Sequence, residues 1–172
     1  MTNEDIVAFI LSHEGSAYTD DPVDAGGCSK YGVTRRALAS FRHVPLSAIT
    51  CEDVRNLTQA DAEALALELY IFRPNFHQIA DWRLRLAVVD FGYHSGAVTA
   101  TKALQRAVGV ADDGSFGRDT GWAVVRADAE RVRLKVVGAR MRLLGSLIER
   151  RRSNARFAGG WFDRVADVLE AA

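Results

Sequence analysis

Apolar residues recur at three-and-four spacing along most of the chain, the period of a helix with one face set against a core. Ile6, Phe9 and Ile10 place a helix over about residues 3–13, and Thr2 with Asp5 makes a capping pair at its start. The period fails from about residue 15 to 33. Gly, Asp and Pro accumulate there, with aromatics at Tyr18 and Tyr31, and the stretch predicts a loop or short hairpin. Thr34 then caps a short helix running to about Phe41. Thr50-x-x-Asp53 and Thr58-x-x-Asp61 are two further capping boxes, the second opening an Ala- and Leu-rich helix that stops near Pro74. Apolar helices follow over about 83–93 and on to Val108, with a turn over 110–120 around Asp113-Gly114 and Gly117. One long helix is predicted from Thr120 to about Ser153, with Gly138 and Gly145 as bends or close-packing points. After a break at 157–160 a last helix reaches Leu169, and Trp161 and Phe162 are expected to anchor it in the core. The pattern is all-α with one small non-helical insertion after the first helix.

Composition narrows the class without choosing a function. At 172 residues, 48% hydrophobic and 26% charged, the chain is an ordinary globule of one domain or two small lobes, and global disorder is excluded. No apolar run is long enough to span a membrane, and the acidic N-terminus is unlike a secretory signal. Basic and acidic residues number 22 each, but residues 1–100 carry 8 basic and 13 acidic side chains, and residues 101–172 carry 14 and 9. The split is therefore −5 against +5. A basic half suits an anionic partner such as nucleic acid, acidic lipid or wall polymer. The chain has no helix-turn-helix or other reader motif, and its acidic half argues against nucleic acid. His13, His43, His77 and His94 lack metal-ligand spacing, and Cys28 and Cys51 alone cannot make a four-ligand zinc site. No metal or organic cofactor is expected. Cys28 and Cys51 can pair in an oxidising compartment only if the fold brings them together.

Chemistry is concentrated where the helical period fails. Glu14 ends the first helix beside Gly15, and a carboxyl at a helix C-terminus faces the negative end of the dipole. In a partly dry site such a group holds its proton and acts as a general acid. Asp20, Asp21 and Asp24 follow within ten residues; a second carboxylate there can activate water or stabilise an oxocarbenium-like transition state, and Thr34 can orient the water. The same residues also read as a plain turn after a solvated glutamate. A calcium loop fits less well, because the alternating ligands and closing Glu of an EF-hand are missing. Arg150, Arg151, Arg152 and Arg156 cluster near the end of the long helix, where they complement its dipole or contact an anionic wall or membrane.

The string Glu14-Gly15-x-x-Tyr18-x-x-Asp21-Pro22-x-Asp24-x-Gly26-Gly27-x-Ser29-x-Tyr31-Gly32-Val33-Thr34 resembles the signature of glycoside hydrolase family 108, which comprises phage endolysins and bacterial N-acetylmuramidases. Departures from the family pattern are Ser16-Ala17 before the tyrosine, Ser29 for Thr and Val33 for Ile. Residues 84–121 resemble the start of the family's predicted peptidoglycan-binding region, with His94 where the family has Asn. Phe157-x-x-Gly160-Trp161-x-x-Arg164 resembles its closing pattern.

The resemblance implies a lysozyme-like all-α fold. A catalytic lobe over about 1–83 and a predicted peptidoglycan-binding lobe over 84–172 are expected to make one compact unit. It implies Glu14 as the catalytic acid. By analogy with other phage lysozymes, Asp24 is the second carboxylate, with Asp21 its rival, and Thr34 assists. Tyr18, Asp21, Tyr31, Asp90 and His94 are the expected substrate contacts. The implied reaction is cleavage of the β-1,4 bond between N-acetylmuramic acid and N-acetylglucosamine in peptidoglycan, without metal or organic cofactor, by a monomer. A phage endolysin is the commoner case in this family. Such a protein is made in the host cytoplasm and reaches the wall through a holin or a dedicated secretion route. A lytic transglycosylase and a non-catalytic wall-binding protein are the alternatives.

Overall fold

The first helix, α1 (Asn3–Glu14), begins where the Thr2 hydroxyl accepts from the Asp5 N–H (3.1 Å) and the Asp5 carboxylate accepts from the Thr2 N–H (2.7 Å). Such a cap contributes about 1 kcal/mol, whereas each aliphatic side chain buried contributes about 1.5–3 kcal/mol. The cap therefore sets where α1 starts, and Ile6, Val7, Ile10 and Leu11, all buried, set where it packs. Their partner is α4 (Gln59–Leu67), which buries Ala62, Leu65 and Ala66. Between them lie the hairpin strands β1 (Ser29–Lys30) and β2 (Val33–Thr34), α2 (Arg35–Arg42) and α3 (Cys51–Arg55). Both predicted capping boxes are present, Thr50 with Asp53 starting α3 and Thr58 with Asp61 starting α4. This computed structural model describes residues 1–20 and 27–171.

The chain forms two compact units, Met1–Arg73 and Pro74–Ala172. The expected division at residue 83 falls inside the second unit, just after the start of α5 (Trp82–Ser95). The first unit has a net charge of −5 and the second +5, so the polarity of the sequence coincides with its division in space.

In the second unit α5 is the central element, with Leu84, Leu86, Ala87, Val88, Val89 and Phe91 all buried. It packs on α6 (Ala97–Val108) and α8 (Ala129–Arg150), and α9 (Ala158–Glu170) closes on α5 and α8. The predicted long helix over 120–153 is two helices. α7 (Arg118–Arg126) stops, and the Asp128 carboxylate accepts from the Arg131 N–H (2.8 Å) to start α8 afresh. Apolar period continues across this break, which is why the pattern hides it. α8 runs through both Gly138 and Gly145.

The Asp113-Gly114 turn is stapled from beneath. The amide nitrogen of buried Gln105 shares its two hydrogens among the Asp113 carboxylate (2.7 Å), the Ser115 carbonyl (3.0 Å) and the Thr120 hydroxyl (3.1 Å), and its oxygen accepts from the Gly114 N–H (2.9 Å). Leu104-Gln105 at the end of α6 and the stretch Asp113-Gly114-x-x-Gly117-x-x-Thr120 are thus tied together by one side chain.

Candidate active site

Glu14 is the last residue of α1 and is half-buried. The helix stops there because Gly15 takes φ 71°, a conformation that a side chain would disfavour. The chain then reaches Thr19, whose backbone pairs with Ser29 in both directions (2.8 and 2.9 Å) and whose hydroxyl meets that of Ser29 at 2.9 Å. Ser29 in turn lies opposite Thr34 across the hairpin. Thr19, Ser29 and Thr34 therefore make one row of hydroxyl residues across three passes of the chain. The Thr34 hydroxyl accepts from the Ala37 N–H (3.3 Å), which caps α2 as predicted and leaves its own proton to donate.

The hairpin closes through Tyr31 and Gly32, with φ of 56° and 74°. A two-residue hairpin loop needs two such left-handed residues to follow the strand twist. For Gly32 this costs little, but for Tyr31 it costs about 1–3 kcal/mol unless its surroundings enforce it. Three tethers enforce it here. A disulfide joins Cys28, immediately before β1, to Cys51 at the start of α3. Lys30 Nζ donates to the carbonyls of Arg55 (2.9 Å) and Leu57 (2.7 Å) at the far end of α3. The Arg55 guanidinium lies 4.2 Å from the centre of the Tyr18 ring, and the Tyr18 hydroxyl donates to Asp20 (3.2 Å).

Strands of two residues are marginal alone, so the position of the hairpin depends on these tethers. The disulfide spans 23 residues, and opening it is expected to lower the stability of the first unit by about 3 kcal/mol. Melting with and without dithiothreitol checks this. Reductant should lower the Tm of the native protein and leave that of Cys51→Ser unchanged, the two reduced forms melting together.

Beside Glu14 the structure supplies a residue that the sequence pattern does not reveal. α4 runs on into a π-helical turn, Glu68–Phe72, closed by the Arg73 N–H on the Glu68 carbonyl (2.8 Å). Such turns often sit at functional sites. The Tyr70 phenol on this turn is pushed above its ordinary pKa, first by burial and then by the Glu14 carboxylate. Tyr70 thus stays a neutral hydrogen-bond donor within electrostatic reach of Glu14. Nothing in its spacing could have marked it, because the π turn breaks the 3.6-residue period that places side chains on a face. Asp21 and Asp24 lie outside the described residues.

Asp90 and His94 belong to the second unit. Asp90 sits in the buried apolar run of α5 with none of its side chain exposed. Arg164 of α9 reaches one of its oxygens at 2.8 Å through Nε and 2.7 Å through Nη2, and Arg140 of α8 takes the other. Both carboxylate oxygens are thus spent on helix packing, which corrects the expectation that Asp90 faces a sugar. His94 meets the Trp161 ring edge-on at 5.6 Å and shares a hydrogen bond with Ser95 (3.1 Å). Its pKa is pushed down to about 4 by burial and by the charges of Arg140 and Arg164, with Asp90 opposing. Trp161 is half-buried and stacks on Phe157 at 6.0 Å, but Phe162 is exposed, so only the first of the pair anchors α9.

Comparison with known proteins gives this arrangement its class. Residues 7–96 match the family described as Glycosyl hydrolase 108, and residues 99–166 match the one described as Predicted Peptidoglycan domain. The protein is a glycoside hydrolase that acts on peptidoglycan. The first match covers just over half of the chain, which belongs to the Glycosyl hydrolase 108 family. The structure of SagA from Brucella abortus is similar, with 30% identity, a TM-score of 0.82, and coverage of 96% of this chain and 90% of that one. No curated protein matches significantly in sequence. The first family match ends at Gly96, after α5, and the second begins at Thr99 in the first turn of α6, whereas the compact units divide at Pro74. Helix α5 belongs to the hydrolase by sequence and to the second unit by packing.

Proposed function

We propose that the protein is an N-acetylmuramidase that hydrolyses the β-1,4 bond between N-acetylmuramic acid and N-acetylglucosamine. The observation that carries this reading is the placement of Glu14: half-buried at the end of α1, within the glycosyl hydrolase match, and close enough to Tyr70 for its charge to act on that phenol. Glu14 donates its proton to the glycosidic oxygen as the bond from that oxygen to the anomeric carbon breaks. Water, oriented by the Thr34 hydroxyl, adds to the anomeric carbon from the opposite side and gives up a proton to the Asp24 carboxylate, and exchange with solvent returns Glu14 to its acid form. Asp24 is the carboxylate assigned to the developing positive charge on the sugar. Tyr70 stays protonated through the cycle, since Glu14 when ionised holds that proton more firmly.

Hydrolysis and transglycosylation differ by one water in the product. Mass spectrometry of muropeptides released from purified sacculi is expected to show reducing N-acetylmuramic acid ends. Anhydro-sugar ends would identify a transglycosylase, and reducing N-acetylglucosamine ends a glucosaminidase. Binding without release would leave a wall-binding protein.

A further inference from the structure

The second unit carries a groove that the hydrolytic reaction does not use. Along the contact of α6 and α8, Ala103 and Ala107 on one helix and Ala139 on the other are too small to fill the space between the backbones. A groove of about 460 Å³ results, with Leu143 and Ser146 also on its wall. That volume suits a small ligand. Its charged lining residues are Arg106, Lys135 and Arg142, and no carboxylate is among them. Lys135 Nζ donates to the Ala107 carbonyl (2.9 Å), which holds the ammonium over the end of α6. Arg106 shares its charge with Asp112 (2.5 Å). Arg142 makes no hydrogen bond or ion pair with any described residue. Two positive charges thus stand over an apolar floor of alanines, in a unit whose net charge is +5.

We infer that this groove binds the peptide stem of peptidoglycan, with Arg142 and Lys135 pairing with its carboxylates and the alanine floor receiving its methyl groups. The inference rests on peptidoglycan being the substrate. Wall chemistry selects the stem over the glycan: the lactyl carboxyl of each substituted sugar is consumed in the amide to its stem, so the negative charges reside on the peptides. The methyl groups of the stem's D- and L-alanines also match a floor built of alanine side chains. The groove would hold the substrate through its stem while another part of the protein cuts the sugar strand.

The test uses the full-length protein with Lys135→Glu and Arg142→Glu together, two exposed positions whose change leaves the core intact. Affinity for the free stem tetrapeptide, measured by calorimetry, is expected to fall about tenfold or more, as for loss and reversal of two complementary charges. Cleavage of intact sacculi should fall at low substrate concentration. Cleavage of stem-free glycan strands, prepared with an amidase, should be unchanged. The milder Lys135→Gln, Arg142→Gln pair serves if charge reversal perturbs folding. Tetrapeptide and sacculus affinities equal to the native ones would overturn the proposal. So would a defect confined to phosphatidylglycerol vesicles, which would make the groove a membrane contact. If neither protein cut stem-free glycan but the tetrapeptide difference persisted, the groove would stand and the muramidase reading would fail.

Discussion

Replacing Glu14 by Gln is expected to leave the protein folded and to reduce lysis of purified sacculi by about 10²- to 10⁴-fold, the usual contribution of a positioned general acid. The fold should survive because the substitution is isosteric, and α1 is held by Ile6, Val7, Ile10 and Leu11 rather than by its last side chain. A second readout separates chemistry from unfolding. The Glu14 carboxylate is the smaller of two causes that raise the pKa of Tyr70, burial being the larger. In Glu14→Gln the Tyr70 phenol should titrate closer to its ordinary range while remaining above it. Ultraviolet titration of the tyrosines, with Tyr70→Phe as the assignment control, checks the shift. Full clearing by Glu14→Gln with the tyrosine shift present would assign the acid to another carboxyl. Lost clearing with an unchanged titration curve would break the link between Glu14 and Tyr70.

The parts of this fold that were legible in the sequence are those whose cause is local. Thr2, Thr34, Thr50 and Thr58 each cap a helix, because a hydroxyl three residues before a free N–H needs nothing from elsewhere in the chain. Glu14 stood out for the same reason, a carboxyl next to a Gly at the end of an apolar period. What stayed hidden depends on residues far apart in sequence. The Cys28–Cys51 bridge, the reach of Lys30 to Arg55 and Leu57, and the approach of Tyr70 to Glu14 all require the packed first unit. The break between α7 and α8 was hidden for a different reason: Val124 and Val132 are both buried, and an apolar residue every seven or eight positions reads as one face whether or not the backbone turns between them. Asp90 shows the opposite failure. Its type suggested chemistry at a sugar, but the same carboxyl in the middle of an apolar run also marks a place where distant arginines must converge.

That convergence predicts the largest effect on stability. Asp90→Asn keeps the shape of the side chain and removes its charge, taking from the buried Arg140 and Arg164 the carboxylate that both contact. Breaking a buried ion network from one side is expected to cost about 3–5 kcal/mol. In urea unfolding of the full-length protein the loss should appear in the second unit, as a lower midpoint for the signal of Trp161, which packs beside the cluster. Replacing all three charged residues by apolar ones of similar size should restore most of the stability, since the cluster must offset its own desolvation. His94 adds a pH dependence with a definite sign. Its folded pKa is pushed down to about 4, below the ordinary value of 6.5, so its contribution is complete above pH 6.5 and is lost as pH falls toward 4. Removing the Asp90 charge takes away an influence that raises the His94 pKa, so acid should unfold Asp90→Asn more readily than the native protein. Under conditions where Asp90→Asn remains folded, the kcat on sacculi should stay within a few-fold of native, because the carboxylate braces helices rather than touching substrate. A loss as large as that of Glu14→Gln in folded Asp90→Asn would instead place this carboxylate in the reaction.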